Sequence, residues 1–275
     1  MDDSPEILFL DRDPGGIDAQ FGYRDSMGFR GTCLPGEGDL IERLWEKRPE
    51  GRYNGALATL WHADPPRYDY IETDYMTYHA LAGHPGEFEG VPRERLRISS
   101  VGGAVITGDG KVCVQERPEG YLAAGLWDSA AAGFCTVSDG KLDFEAAIRS
   151  KLERELGLGA RDLESITPTA VFSSSDYCSG MVGYKVHTQH TFHEVQGRRR
   201  DSGELYAVEL QDLSCFIVDT YAGKRRLIGD GCAVLLSILP DQEFRAAVGS
   251  INRLGRPVAQ GVIEEGRCSI RDCLS

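Results

Sequence analysis

Lys151, Arg154 and Glu155 stand at i, i+3 and i+4 in one short stretch. That spacing stacks all three side chains on one face of a helix. Two cations beside one carboxylate are groups that hold the oxygens of an anion directly. The competing reading is an ordinary solvated face of ion pairs. Glu153 lies two residues before Glu155, so a regular helix turns it roughly 160° away, and it joins Glu155 only if the helix bulges. Upstream, Arg117 stands at the mouth of a loop rich in Gly and Ala (120–133). Within that loop Trp127 serves either to stack on a base or sugar or to pack the loop. Gly133 suits a tight turn or a close approach of backbone to ligand. His187, His190 and His193 fall in a strand-like run, where period two sends them to opposite faces and speaks against a three-histidine metal site. The chain has no Gly-x-Ser-x-Gly, His-Glu-x-x-His or Gly-x-x-x-x-Gly-Lys-Ser/Thr pattern.

The charge balance narrows the partners. The 275 residues carry 43 acidic and 30 basic side chains, a net charge of −13. Such a surplus repels a nucleic acid polymer or an anionic membrane. The two basic runs, Arg198-Arg199-Arg200 and Lys224-Arg225-Arg226, adjoin Gly and Asp and read as solvated loops. A small anionic ligand held by a few local cations remains. A hydrophobic share of 41% suits a folded globular chain. No run approaches the ~18 apolar residues of a membrane span, and the acidic start, Met1-Asp2-Asp3, lacks the form of a secretory leader. None of the eight cysteines forms a Cys-x-x-Cys pair, so a reducing, cytoplasmic setting is expected. Cys268 and Cys273 are the one exception to consider.

Elements must position these residues. Periodicity predicts strands at 6–11, 53–62, 98–107, 111–116, 169–173, 183–192 and 214–219, with a turn at Pro14-Gly15-Gly16 and a hairpin at Gly108-Asp109-Gly110. Amphipathic patterning predicts helices at 39–47, 143–156, 232–239 and 241–253. Leu40, Ile41, Leu44 and Trp45 share one face of the first of these. Residues 68–78 are a run of aromatics, and 83–95 read as a connector. A smaller α+β segment (1–95) thus precedes a larger region (96–275), and strands around one central helix indicate an α/β sandwich.

Three pieces carry a resemblance. They are Gly125-Leu126-Trp127-Asp128-Ser129-Ala130-Ala131-Ala132-Gly133, then Glu145-Ala146-Ala147-Ile148-Arg149, then Glu155-Leu156-Gly157-Leu158. Together they resemble the Nudix superfamily, in the branch with isopentenyl-diphosphate isomerases and related hydrolases. The isomerase reading is the weaker one, because Phe134 stands where that branch has His. Leu34-Pro35-Gly36, the helix with Trp45, the 53–62 strand and Thr77-Tyr78 are loosely similar to nucleotide-sugar pyrophosphatases of the family.

The resemblance implies an α/β/α sandwich that hydrolyses a phosphoanhydride in a nucleoside diphosphate linked to another moiety, such as a sugar. It implies Mg²⁺, or Mn²⁺, collected by the three glutamates of Arg-Glu-x-x-Glu-Glu-x-Gly. Glu155 and Glu153 are the candidate catalytic and metal residues. Arg117, Trp127, Gly133, Lys151 and Arg154 are the candidate substrate contacts. Residues 1–95 would add to the pocket or to a homodimer interface.

This chain departs from the motif at its centre. Counting back from Gly157, the paired glutamates fall on Arg154 and Glu155, and the earlier Arg-Glu on Ser150 and Lys151. A second register, anchored on Arg149, needs a π-bulge before Gly157. A rebuilt acid set would draw on Asp143 or Glu145 and on a late acid from Glu204, Glu209 or Asp212. The alternative is a nucleotide-binding or regulatory protein that keeps the fold without hydrolysis.

Overall fold

In the computed structural model the described residues are 7–12, 20–24, 29–30, 37–47, 53–88, 96–119, 123–174, 178–200, 203–224, 226–264 and 267–273. Their strands are β1 (Ile7–Asp11), β2 (Gln20–Arg24), β3 (Ala56–Asp64), β4 (Arg67–Asp74), β5 (Ile98–Ile106), β6 (Lys111–Glu116), β7 (Trp127–Ser129), β8 (Ala131–Phe134), β9 (Leu163–Ser174), β10 (Ser179–Thr188), β11 (Leu205–Glu209), β12 (Ala259–Glu264) and β13 (Arg267–Cys273). Their helices are α1 (Gly38–Glu46), α2 (Tyr75–Gly83), α3 (Phe144–Leu156), α4 (Phe192–Arg198), α5 (Leu213–Ile217), α6 (Gly229–Ser237) and α7 (Asp241–Arg253).

β5 organises the sheet. All nine of its residues are buried, as a strand covered on both faces must be. β10 runs parallel to it in unbroken register from Ile98–Ser179 to Ile106–His187. Three strands share its other edge in turn. β3 meets it at Ile98, β8 from Ser100 to Gly103, and β6 at Val105 and Ile106. β9 continues the sheet antiparallel to β10, and β1 follows antiparallel to β9.

Helices cover both faces. On one side, Ile148, Leu152 and Leu156 of α3 and Val195 of α4 pack on Val101, Val105, Val182 and Val186. On the other, α5, α6 and α7 pack on Ala104, Ile106, Phe172 and Met181. Two adjacent glycines let both layers close in. A Cβ on Gly102 would fall 2.7 Å from Val234 of α6, and one on Gly103 would fall 3.2 Å from Ile148 of α3. A third cluster lies beneath α1 and α2, built on Ile41, Leu44, Leu57, Ile71 and Leu81. This is an α/β/α sandwich, the layer order that the loop-and-helix segment led one to expect.

Several expectations change. The glycine–alanine loop contains two short strands, β7 and β8, which pair with β6 and β5. Residues 214–219 are not a strand: α5 runs into a π-turn at Val218–Gly223. The reason is visible in burial, since Leu213, Ile217, Thr220 and Tyr221 recur at helical spacing toward the core. The aromatic run resolves into β4 and α2, joined at Asp74, whose carboxylate accepts from Thr77 N at 2.7 Å and caps the helix. β10 ends at Thr188, so His193 belongs to α4 rather than to a strand. The turn at Pro14-Gly15-Gly16 and Leu34-Pro35-Gly36 lie outside the described residues, as do the side chains of Cys33, Cys268 and Cys273. No helix of the described residues is long and apolar enough to cross a membrane.

Candidate functional site at β8 and α3

The local sequence explains why α3 is straight and well bounded. Asp143 accepts from Ala146 N at 2.8 Å and caps its start. Phe144, Ile148, Leu152 and Leu156 form its buried stripe at i+4 steps. Gly157 follows at φ +66°, where Leu158 N donates to Leu152 O at 3.1 Å and closes the helix. Ala on this glycine would be strained in φ and would meet Arg198 O at 2.8 Å. α3 is α-helical throughout. The register that required a bulge is therefore not realised, and Glu153 stays exposed on the side away from Glu155.

Lys151 and Glu155 come together as expected. Lys151 Nζ lies 3.7 Å from Glu155 Oε1, and the two side chains are only 16% and 12% exposed. Arg154 Nη2 reaches the same oxygen at 2.9 Å from a more exposed position. Lys151 lies along the backbone of Gly133 in β8: a Cβ there would fall 2.6 Å from Lys151 Cε. Gly133 is thus the residue that lets the lysine stem lie against the strand. Next to it, Phe134 is held edge-on by Tyr78 of α2 at 4.8 Å.

The other candidate acids are dispersed. Asp143 is engaged as the cap, and Glu145 pairs with Arg149 at 2.7 Å. Both stand at the opposite end of α3 from Glu155, roughly 15 Å away at 1.5 Å per residue. Glu204 accepts from Tyr206 Oη at 2.5 Å, while Glu209 and Asp212 are exposed at the end of β11. Among the described residues, no group of three His, Cys, Asp or Glu side chains could hold a metal ion. The residues at the motif positions do not fit a hydrated Mg²⁺, which asks for carboxylate oxygens and meets a lysine and an arginine.

Arg117 and Trp127 are placed elsewhere. Arg117 Nη1 pairs with Asp128 Oδ2 at 2.6 Å, and Asp128 is buried. One ring face of Trp127 stacks on Phe216 at 5.5 Å and 9°, with Tyr206 at 5.5 Å and Arg226 over the ring at 5.0 Å. His190 contacts Asp162 at 2.7 Å, and Arg198 reaches the same oxygen at 2.8 Å. These hydrogen bonds, that from His190 foremost, draw the Asp162 carboxyl down to about 2.

Sequence reading missed a buried polar cluster on the α6 face. Asp230, at the start of α6, accepts from Ser174 Oγ and Ser179 Oγ, each at 2.6 Å. Burial, with a further push from Asp128, raises its carboxyl to about 6 against the serine hydrogen bonds and Arg117. Burial also raises Asp128, opposed first by Arg117. A signal existed in Gly229-Asp230-Gly231, an acid between glycines at the head of an apolar helix. A Cβ on Gly231 would fall 2.9 Å from Asp128 Cα.

No protein-family model and no curated protein matches the chain. Among solved structures it is similar to the DR0079 protein of Deinococcus radiodurans, with 20% identity over 54% of this chain and 87% of that one and a TM-score of 0.38. It is similar to RenU, a Nudix hydrolase of M. smegmatis, with 16% identity over 56% and 87% and a TM-score of 0.32. A third is a bifunctional NMN adenylyltransferase/ADP ribose pyrophosphatase of Francisella tularensis complexed with AMP and a Mn ion, with 13% identity over 58% and 44% and a TM-score of 0.35.

Proposed function

We propose that this chain binds a phosphoanhydride ligand of nucleotide type where α3 meets β8, with Lys151 and Arg154 contacting phosphate oxygens in place of a metal ion. The observation that carries the reading is the largely buried Lys151–Glu155 pair against the Gly133 backbone. A largely buried ammonium attracts an anion more strongly than an exposed one, because screening by water is reduced. Glu155 holds Lys151 in place and leaves a surplus cation, Arg154, at the rim. Nucleotide sugars and nucleoside diphosphates are the first ligands to try.

Hydrolysis at the same site is the second reading, favoured by the retention of Glu155 at a motif position. One experiment separates the two. Binding and turnover of UDP-glucose, ADP-ribose and ADP are measured with EDTA and with Mg²⁺ or Mn²⁺. The binding reading expects affinity in EDTA that falls at least tenfold in Lys151→Ala, and no turnover. Binding that needs metal, or turnover abolished by Glu155→Gln, would replace it with the hydrolase reading.

A further inference from the structure

α2 and α6 cover neighbouring parts of one face of the sheet. Phe134 of β8 stands opposite Ser100 of β5, and opposed residues share a face. Its ring meets Tyr78 of α2 edge-on at 4.8 Å. Two residues along β5, a Cβ on Gly102 would point at Val234 of α6 from 2.7 Å. Gly133 faces the other way, toward Lys151 of α3.

Two polar atoms are uncommitted along this seam. Asp230 is only 6% exposed. Its Oδ1 accepts from Ser174 of β9 and Ser179 of β10, each at 2.6 Å, while its Oδ2 has no hydrogen-bond partner among the described residues. The serines fix the carboxyl and leave the second oxygen to reach outward. Tyr78 is partly exposed, and its hydroxyl likewise has no partner among the described residues. Neither atom is among the enclosed polar atoms that lack a partner, so both keep accessible surface. The Tyr78 phenol is raised by burial first, then by Cys178, Asp230 and Tyr75, with Arg117 opposing. It therefore lies within electrostatic reach of both Asp230 and Arg117.

The local field selects against charge in a ligand. Asp128 and Asp230 repel an anion. Arg117, matched by Asp128 at 2.6 Å, and the positive end of α6 repel a cation. What remains is a carboxylate oxygen that accepts and a phenol that donates or accepts, which complement adjacent hydroxyls on a neutral molecule. The rings of Tyr78 and Phe134 offer apolar surface to its C–H groups. We propose that the seam between α2 and α6 is a binding site for a small neutral polyol, a sugar or cyclitol without phosphate. One hydroxyl donates to Asp230 Oδ2, and its neighbour accepts from Tyr78 Oη. The ligand and the face of the sheet both differ from those proposed for Lys151, so the site does not rest on that reading.

Saturation-transfer NMR on the full chain follows glucose, ribose and myo-inositol, with cyclohexanol, glucosamine and glucuronate as monohydroxylic, cationic and anionic probes. Glucuronate is titrated in Lys151→Ala as well, which sets anion capture at α3 apart. One of the polyols is expected to bind, and more tightly than the other three probes. Tyr78→Phe keeps the ring and removes only the hydroxyl, and should weaken that polyol severalfold. Asp230→Asn keeps an oxygen for the serines and puts a donor at the outer position. It should weaken the polyol by about tenfold, the worth of one hydrogen bond to a charged group. Absence of binding by all three polyols, equal or tighter binding of glucosamine, or of glucuronate in Lys151→Ala, or polyol affinity unchanged in Tyr78→Phe would overturn the proposal. Tyr78→Phe decides the matter even where Asp230→Asn disturbs the fold.

Discussion

Asp230→Asn should stabilise this protein at alkaline pH and not at acid pH. The buried carboxyl titrates near 6 rather than at its ordinary 3.8. The folded state therefore holds its proton more tightly than the unfolded state does. Such a group adds stability below its unfolded pKa and withdraws it as pH rises through about 6. A difference of about two pKa units corresponds to about 3 kcal/mol at 1.36 kcal/mol per unit. An Asn oxygen still accepts from Ser174 and Ser179, and it carries no charge beside Asp128. The expected gain at pH 8 is about 2–3 kcal/mol, or about 5 °C in Tm for a chain of this size. Near pH 4 the gain should vanish. Thermal melts of both proteins from pH 4 to 8 read this difference directly. Asp162, drawn down to about 2, loses its contribution only at lower pH and does not disturb the window. A destabilisation of equal size at both ends of the range would refute the reasoning, because it would mean that the ionised carboxylate is the form that holds α6 in place.

Other outcomes follow from packing. Leu152→Ala removes a fully buried side chain between α3 and the sheet, and should lower unfolding free energy by about 2–5 kcal/mol in denaturant titration. Gly157→Ala forces a Cβ into a left-handed turn and onto Arg198 O. It should cost more than about 1 kcal/mol, which a chemical melt would detect. Gly133→Ala should lower Tm, because its φ of +157° is one that L residues rarely adopt and the new Cβ must push the end of Lys151 aside, and it should weaken UDP-glucose binding measured in EDTA.

Legibility followed the range of the signal. α3 could be read to within a residue, because its cap, its i+4 stripe and its terminal glycine all lie within one short segment. β5 and β6 were equally clear, since their hairpin signal is contiguous. α5 was misread because the run Leu213–Val218 is almost wholly apolar, and a buried helix and a buried strand then look alike. β4 and α2 were hidden by tyrosines that satisfy either period. The site divides in the same way. The Lys151–Glu155 pair is a property of one helix, and so was visible. The partners of Arg117 and Trp127, and the Asp128–Asp230 cluster, join segments far apart in the chain, which only the sheet brings together.

The departure of α3 from the Nudix motif that its sequence resembles can be turned into a reversal. Counting back from Gly157 places the three motif acids at 151, 154 and 155, and only Glu155 is present. The double variant Lys151→Glu with Arg154→Glu completes the set on one face of a helix that is already straight and capped. Without metal, the like charges at i, i+3 and i+4 should destabilise α3 by roughly 0.2–0.5 kcal/mol per pair, lowering Tm slightly. The variant should then bind Mg²⁺, and saturation at a hundred times Kd should return about 2.7 kcal/mol. The double variant would thus melt higher in Mg²⁺ than in EDTA, whereas the parent chain would melt alike in both. UDP-glucose binding in EDTA should fall with the loss of both cations. If Mg²⁺ leaves the variant's Tm unchanged, the β8–α3 junction lacks the geometry of a metal site as well as its acids, and the motif register drawn from Gly157 is wrong.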